Sequence, residues 1–306
     1  MSFGSDLKRE LTALAIPDTE LQKALAYGLF LFSRTFSKTS ISIQTENAYV
    51  LDLYCGFMHS LIQVSPVVNS SLPKRGLKQT YSAVVEEEEK CKQIFDFFHH
   101  RIDEVKLKVH GENIDSLAKI ACFVRGAYLA CGSMSDPVRG YHLEFSTPHK
   151  RLSQDLSLLI EELGISPKRT QRKGSYILYL KESENIEDLL TAMGAVHSSL
   201  ELMNIKIYKE LRNKANRVTN CETANIEKTV IAASAQMEDI HYILQKRGFD
   251  FLPDELQEIA KLRLENPDLS LRELGGLLKE PISRSGVNHR LKRLSAIAQK
   301  LRNMNP

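Results

Sequence analysis

The sequence predicts an α+β fold over roughly the first two thirds of its 306 residues, followed by an all-α module at the C-terminus. Between residues 18 and 193, helical and strand-like patterns follow the order helix, strand, helix, hairpin, helix twice. Residues 198–246 are helical in pattern, and three short helical segments follow from residue 253. An element order that repeats without repeated residue identities indicates a duplication, with two pseudo-equivalent α+β halves packed together.

The first half begins with apolar residues at helical spacing and a helix cap at Asp18. Alternating polarity at residues 41–45 indicates a strand, and Pro, Asn, Ser and Gly punctuate the β-prone runs that follow. Four acidic residues, Glu86–Glu89, suit the N-terminal end of a helix dipole. The predicted elements are helices over 5–15 and 18–36, a strand over 41–45, a helix over 51–63, a hairpin over 64–85 and a helix over 86–101, where His99 and His100 would complement the helix dipole.

The second half shows the same signals. Gly164 is suited to end a helix, because glycine adopts the left-handed conformation that often closes one. Gly174-Ser separates a basic run from an apolar β-prone run, which indicates a hairpin. The predicted elements are helices over 115–132, 148–163 and 184–193, a strand over 141–145 and a hairpin over 168–181.

Two of the predicted helices place a glycine among large apolar residues. They read Ala26-Tyr-Gly-Leu-Phe-Leu-Phe-Ser33-Arg34 and Val124-Arg-Gly-Ala-Tyr-Leu-Ala-Cys131-Gly132. A glycine on a helix face allows a second helix to approach closely. Gly28 and Gly126 therefore predict two helices that cross between the halves, although ordinary core helices would give a similar pattern.

The C-terminal module carries the pattern of a helix-turn-helix. Residues 254–264 form a supporting helix, Ser270 and Glu273 form a capping box, and Pro281 breaks the chain. Apolar residues at spacings of three and four predict the buried faces of the two helices that follow. These residues are Leu271, Leu274, Leu277 and Leu278 in the second helix, and Val287, Leu291, Leu294, Ala298 and Leu301 in the third.

The side of the third helix opposite its apolar stripe is rich in basic and hydrogen-bonding residues. Residues 261–306 hold ten Lys or Arg and four Asp or Glu, a net charge of +6, whereas the rest of the chain sums to −3. A compact basic end on a mildly acidic body is typical of a nucleic-acid-binding module. The sequence thus predicts double-stranded DNA as partner; a protein-interaction module with a solvated basic face is the alternative. We expect Arg284, Ser285, Asn288 and His289 to face bases, and Arg290, Lys292 and Arg293 to hold phosphates.

Other function classes find no support in the residues. No apolar run approaches the ~20 residues of a membrane helix, and the first residues lack the apolar core of a secretory signal. The five cysteines form no Cys-x-x-Cys pair, no His or Cys cluster has zinc spacing, and no phosphate-binding glycine loop is present. We therefore expect a cytoplasmic protein with reduced thiols, no metal and no cofactor.

The two glycine-containing segments resemble degenerate LAGLIDADG motifs, the paired helices of homing endonucleases, and the duplicated αββαββα order agrees. In those enzymes the penultimate acidic residue of each motif binds the divalent metal that cleaves DNA. The matching positions here are Ser33 and Cys131, and Arg34 stands where glycine is usual. Because Mg²⁺ requires hard oxygen ligands, the resemblance implies a domain without nuclease activity.

The same resemblance suggests a second basic surface, because the hairpins of that fold form a DNA-facing saddle. We expect that hairpin cations either contact phosphates or are simply solvated. A polar cluster at 213–225 would form a hydrogen-bonded joint, with phosphate contact by one of its residues as the rival interpretation. These candidates are Lys74, Arg75 and Lys78, then Lys168, Arg169, Arg172 and Lys173, and Arg217 in the polar cluster.

Five segments spread over nearly the full length of the chain are distinctive. They are Arg125-Gly-Ala-Tyr-Leu-Ala-Cys-Gly-Ser-Met-Ser-Asp-Pro, Tyr141-His-Leu-Glu-Phe, Asn216-Arg-Val-Thr-Asn-Cys-Glu-Thr-Ala-Asn, Leu271-Arg-Glu-Leu-Gly and Ile282-Ser-Arg-Ser-Gly-Val-Asn-His-Arg-Leu. Through these segments the chain resembles the WhiA family of bacterial regulators. The resemblance implies an inactive endonuclease-like domain at 1–197, a helical linker at 198–250 and a helix-turn-helix domain at 251–306.

What the resemblance implies for function is a non-enzymatic, sequence-specific transcription regulator, associated with the nucleoid and linked to sporulation or cell division. The alternative is a protein- or ligand-binding sensor or scaffold that acts through a partner such as RNA polymerase. The residues leave the operator, the sign of regulation, any effector and the oligomeric state open.

Overall fold

A computed structural model describes residues 2–71, 79–101 and 106–304. The chain divides into two compact units, Met1–Lys209 and Glu210–Pro306. Lys74, Arg75 and Lys78, named above as hairpin cations, lie outside the described residues. None of the described helices is both long and apolar enough to cross a membrane.

The first half of the N-terminal unit is built around one antiparallel sheet with strand order β1-β2-β4-β3. The central strand β4 pairs with β2 on one side and with β3 on the other. Its elements are α1 (Phe3–Ala13), α2 (Thr19–Leu31), β1 (Thr35–Phe36), β2 (Ile41–Thr45), α3 (Ala48–Ile62), β3 (Val67–Ser71), β4 (Thr80–Val85) and α4 (Glu88–Phe97).

The second half repeats this arrangement, with strand order β5-β6-β8-β7. Its elements are α5 (Leu117–Cys131), β5 (Gly132–Met134), β6 (Leu143–Thr147), α6 (Lys150–Glu162), β7 (Lys168–Arg172), β8 (Ser175–Leu180) and α7 (Ser183–Ala192). The two sheets have equivalent strand orders, so the predicted duplication is confirmed. Lys173 and Gly174, both with positive φ, form the two-residue turn of the β7–β8 hairpin.

Several predicted boundaries shift for local reasons. The Asp18 cap on α2 is confirmed, since its carboxylate accepts a 2.7 Å hydrogen bond from the Glu20 amide. The same helix ends at Leu31 rather than at residue 36, because Thr35 and Phe36 pair with β2 as strand β1. The helix predicted to reach Arg101 ends at Phe97.

The prediction that His100 complements a helix dipole is wrong. The His100 ring is only 2% exposed, and its Nε2 lies 2.9 Å from the hydroxyl of Tyr27. That hydroxyl also accepts a hydrogen bond from the backbone amide of His110. His100 is therefore a core residue, buried among aromatic rings beyond the end of α4.

Helices α2 and α5 cross at their glycines. A Cβ atom added to Gly28 would lie 2.0 Å from the Phe123 carbonyl oxygen, and one added to Gly126 would lie 2.1 Å from that of Leu25. Each glycine thus touches the backbone of the opposite helix, which confirms the predicted crossing. Helix α2 contacts β1 and β2 of the first half, and helix α5 contacts β5 and β6 of the second half. The crossing therefore joins both halves in one hydrophobic core.

The remaining elements are helical. Residues 211–230 are all exposed along α8, so the polar cluster at 213–225 is solvated and the expected hydrogen-bonded joint is wrong. Its residues Asn225 and Cys221 are linked by a 3.7 Å contact within that one helix. The elements are α8 (Val196–Arg247), α9 (Asp254–Glu265), α10 (Leu271–Gly276) and α11 (Arg284–Met304).

We predict that Gly126→Ala lowers the free energy of unfolding by about 1–3 kcal/mol or more, because the added methyl overpacks backbone atoms that cannot move aside. The matched control is Gly56→Ala on α3, where a Cβ meets nothing within 4 Å. This control should gain roughly 0.5–1 kcal/mol through helix propensity. Urea unfolding followed by circular dichroism measures both, and equal effects of the two substitutions would contradict the close crossing.

Candidate nucleic-acid interface

Helix α10 begins at the predicted capping box. The Ser270 amide donates to Glu273 Oε2 at 2.8 Å, and the Glu273 amide donates to Ser270 Oγ at 3.3 Å. Hydrogen bonds from the Ser270 hydroxyl and from its backbone amide lower the pKa of the Glu273 carboxyl group, because they stabilise its charged form. The box therefore fixes the start of the first helix of the helix-turn-helix.

The turn between α10 and α11 depends on close backbone packing at Gly275. A Cβ at this position would lie 2.5 Å from the Ile282 carbonyl oxygen, and the Ile282 amide donates to the Gly275 carbonyl at 3.2 Å. Leu274 and Leu278 are buried as predicted, but Leu277 is 52% exposed. Its predicted burial is wrong because α10 is only six residues long and ends before Leu277.

The apolar stripe of α11 forms the core of the C-terminal unit. Val287, Leu291, Leu294 and Ala298 are buried as predicted, and Leu301 packs against them at the margin. The same cluster includes Ile240 and Ile243 from α8, so the end of the long helix is part of this core. The stripe thus fixes the rotation of α11 and determines which residues face solvent.

The solvent side of α11 carries most of the polar residues predicted to contact DNA. Arg284, Ser285, His289 and Lys292 are exposed, and Asn288 is partly buried. Ser285 Oγ lies 2.8 Å from Ser283 Oγ at the start of the helix. We call these five residues the α11 polar face.

Two of the predicted phosphate ligands are paired within the protein. Arg290 lies 3.7 Å from the Glu255 carboxylate of α9, and Arg293 forms a shorter ion pair with the same carboxylate. Arg290 is only 20% exposed. Because positions three apart share one side of a helix, both arginines face α9 rather than the α11 polar face.

The other sequence-predicted cations are exposed. Lys168, Arg169 and Arg172 lie on β7 and Lys173 lies in its turn, where Lys168 pairs with Glu182 at 3.0 Å. Arg217 is exposed on α8. The β7–β8 hairpin therefore presents a cationic surface, on which the Lys168–Glu182 pair is the one ion pair formed among the described residues.

Ser33 and Cys131 come together at the ends of the crossed helices, where they line one cleft of about 600 Å³ with Glu46. The Ser33 hydroxyl donates to the Leu29 carbonyl at 2.5 Å. Burial raises the pKa of the Cys131 thiol to about 12. Sulfur is also a soft donor, which makes the Cys131 side chain a poor ligand for a hard cation such as Mg²⁺.

A lysine that sequence patterns did not single out lies near this cleft. Lys8 Nζ donates to the Leu129 carbonyl at 3.1 Å and stands 5.8 Å from the centre of the Tyr128 ring. Burial lowers the pKa of Lys8, whereas Cys131 and Glu46 act in the opposite direction. Its spacing on α1 does not distinguish it from an ordinary surface lysine.

These side chains are a poor fit for a divalent metal. Glu46 is the one carboxylate among the described lining residues. The neutral polar side chains that line the cleft are Ser33, Gln44, Thr45, Thr80, Cys131 and Ser146. Mg²⁺ is usually held by carboxylates together with other hard oxygen ligands. In the described residues, no three His, Cys, Asp or Glu side chains converge as a potential metal site. The cleft therefore lacks the ligand chemistry of metal-assisted phosphodiester hydrolysis.

Two four-stranded sheets on a crossed helix pair, with a capped helix-turn-helix in a separate unit, define a LAGLIDADG-like protein with an appended helix-turn-helix domain. Two family models match the chain. The WhiA LAGLIDADG-like domain matches residues 120–212, and the WhiA C-terminal HTH domain matches residues 215–298.

Two relatives match this chain over almost its whole length. "Probable cell division protein WhiA" of Thermoanaerobacter pseudethanolicus is 38% identical over 316 residues, which cover 99% of this chain and 98% of the relative. The Clostridium tetani protein of the same name is also 38% identical and covers 98% of both chains. The chain therefore belongs to the WhiA family.

A solved structure supports the same fold. The crystal structure of full-length DUF199/WhiA from Thermotoga maritima superposes with a TM-score of 0.58 at 23% identity. The match covers 98% of this chain and 99% of the other. The shared fold thus extends over both the LAGLIDADG-like and the helical regions.

We predict that Gly275→Ala loosens the turn of the helix-turn-helix, because its methyl would meet the Ile282 carbonyl and the Val287 side chain. The expected loss is about 1–3 kcal/mol of local stability. Hydrogen exchange of the α10 and α11 amides in the full chain measures it. The neighbouring Gly276→Ala is the control, since its Cβ meets nothing within 4 Å; equally fast exchange in both variants would refute the tight turn.

Proposed function

We propose that this protein is a sequence-specific DNA-binding transcription regulator whose helix α11 enters the major groove. The observation that carries the proposal is the α11 polar face. Arg284 and Lys292 form no ion pair within the described part of the chain, and they lie beside residues able to hydrogen-bond base edges. Arginine and asparagine can make bidentate contacts to guanine and adenine, respectively.

The proposed contacts divide according to their chemistry. Arg284, Ser285, Asn288 and His289 face bases, while Lys292 holds a phosphate. Arg290 and Arg293 are both paired with Glu255, so each would have to weaken or give up that ion pair to contact a phosphate. We therefore assign them a smaller part of the DNA-binding affinity. Since residues 261–306 carry a net charge of +6, binding should weaken steeply as salt rises.

For the N-terminal unit we propose a non-cleaving role, either as a scaffold or as a second DNA-contact surface. The cleft at Ser33 and Cys131 holds a single carboxylate among its described lining residues rather than a pair, which supports the absence of nuclease activity. Contacts to phosphates from the hairpins and from α8 form part of the same proposal. The residues involved would be Lys74, Arg75 and Lys78, then Lys168, Arg169, Arg172 and Lys173, and Arg217.

The relatives are named as probable cell division proteins, and we propose that this chain regulates cell division genes, with sporulation genes as further targets. Its place would be the nucleoid in the cytoplasm, where RNA polymerase or another regulator could bind it. Deletion of residues 253–306 separates this proposal from a sensor or scaffold role. A regulator loses chromosomal occupancy on this deletion, whereas a scaffold retains occupancy and partner capture.

We predict that Arg284→Ala combined with Asn288→Ala removes sequence preference, because each bidentate base contact contributes about 1–3 kcal/mol of discrimination. The control is Gln299→Ala with Lys300→Ala, which removes the same charge from exposed positions of the same helix. Gel shifts on DNA selected from a random pool measure both. The control should keep the ratio of specific to non-specific affinity, and unchanged preference in the first variant would mean that α11 is not the reading helix.

We also predict no metal-dependent cleavage. Supercoiled plasmid incubated with the full chain and Mg²⁺ or Mn²⁺ should show no nicking above a protein-free control, since Glu46 is the single carboxylate among the described residues of the cleft. Cys131→Ala and Ser33→Ala should leave that baseline unchanged. Nicking that either substitution abolishes would restore the nuclease interpretation.

A further inference from the structure

A cationic cleft lies within the C-terminal unit, between the second half of α8 and the starts of α10 and α11. Its volume is about 550 Å³, within the range of roughly 300–1,000 Å³ typical of small-ligand sites. Among the described residues that line it are four cations, Lys228, Arg263, Arg272 and Arg284, and no Asp or Glu. We use the name cationic cleft for the space that these four residues surround.

Arg263 is the unusual member of this set. It is 1% exposed, and its Nη1 donates to the carbonyls of Leu269 at 2.8 Å and Pro267 at 3.3 Å. Its Nε has no hydrogen-bond partner in the described structure. Those two carbonyls orient the guanidinium but do not neutralise it, and burial lowers its pKa. A buried cation without an acidic partner is costly, and a bound anion would offset that cost.

The surrounding groups are also suited to an anion. Asn225 and Asn288 offer amide donors at the cleft wall, and Lys228 and Arg272 are exposed cations without an ion pair among the described residues. The capping box already occupies the start of α10. The positive potential of the cleft therefore comes from side chains rather than from an open helix end.

The cleft is adjacent to the α11 polar face, because Arg284 and Asn288 belong to both. In a helix-turn-helix, the helix before the recognition helix crosses the DNA backbone. A DNA strand whose bases contact the start of α11 would therefore place one of its neighbouring phosphates next to α10 and α8. We propose that the cationic cleft is a phosphate-binding site that takes a DNA phosphodiester, with Arg263 as its buried anchor and Lys228 and Arg272 as its direct ligands.

This inference rests on the proposed DNA binding and extends it to Lys228, Arg263 and Arg272, which sequence patterning did not select as site residues. The nearest alternative source of the same chemistry is free phosphate or a small phosphorylated molecule. A DNA phosphate and a free phosphate would both need the same cations, so a loss of binding alone does not tell them apart. Two measurements on one pair of variants distinguish the two ligands. The test variant is Lys228→Gln with Arg272→Gln, and the control is Lys246→Gln with Lys300→Gln, two exposed lysines of the same unit outside the cleft.

The first measurement is the salt dependence of DNA affinity for the full chain. Each phosphate contact contributes about 0.9 to the slope of log K against log salt, so the test variant should lose about 1–2 from the slope. Its affinity should fall equally for specific and random DNA, by roughly 10-fold or more at moderate salt. The control should keep a slope closer to that of the unmodified chain.

The second measurement titrates inorganic phosphate against chloride at matched ionic strength, with binding followed by calorimetry. An unchanged salt slope together with saturable phosphate binding lost only in the test variant would support a phosphate site but assign it to a free ligand, overturning the DNA source. If both the slope and the phosphate titration match the control, the cleft is not a phosphate site. If the unmodified chain binds phosphate in the cleft but does not bind DNA, the proposed function is wrong and the phosphate site is still supported.

Discussion

The contact of two glycines with the backbone of opposite helices is the constraint on which the N-terminal unit depends. Gly28 and Gly126 let α2 and α5 approach to a distance that no side chain would allow. Each helix contacts strands of its own half, so the crossing sets the relation between the two sheets. It also brings Ser33 and Cys131 to one cleft. The geometry that could host paired metal ligands is therefore retained, while the ligands themselves are replaced.

The C-terminal unit is shaped by local signals that agree with one another. The capping box starts α10, the close contact at Gly275 sets the turn, and the buried stripe of α11 fixes its rotation. Together they present a polar face that remains free of acids, while Glu255 neutralises two arginines on the adjacent side. Charge is thus concentrated where α11 and the cationic cleft meet, which is where a nucleic acid would gain most from electrostatic attraction.

The sequence patterns predicted the helices, strands and caps, which depend on neighbouring residues. They did not predict contacts between residues that are far apart in the chain. The duplicated element order, the capping box and the α11 stripe could be read from residue spacing, because each reflects helix or strand periodicity. Spacing could not show that His100 is buried with Tyr27, nor that Arg290 and Arg293 face Glu255. The burial of Arg263 could not be predicted either, since an isolated arginine on an amphipathic helix is ordinarily a solvated residue.

We propose above all that DNA binds at helix α11 and the cationic cleft of the C-terminal unit and not at the helix-pair cleft. Hydrogen–deuterium exchange of the full chain, with and without its selected DNA, tests this claim most directly. We expect slower exchange over residues 284–293 and in the α8 segment around Lys228, with unchanged exchange next to Ser33 and Cys131. Protection confined to the helix-pair cleft and its sheets, with none in α11, would contradict the account.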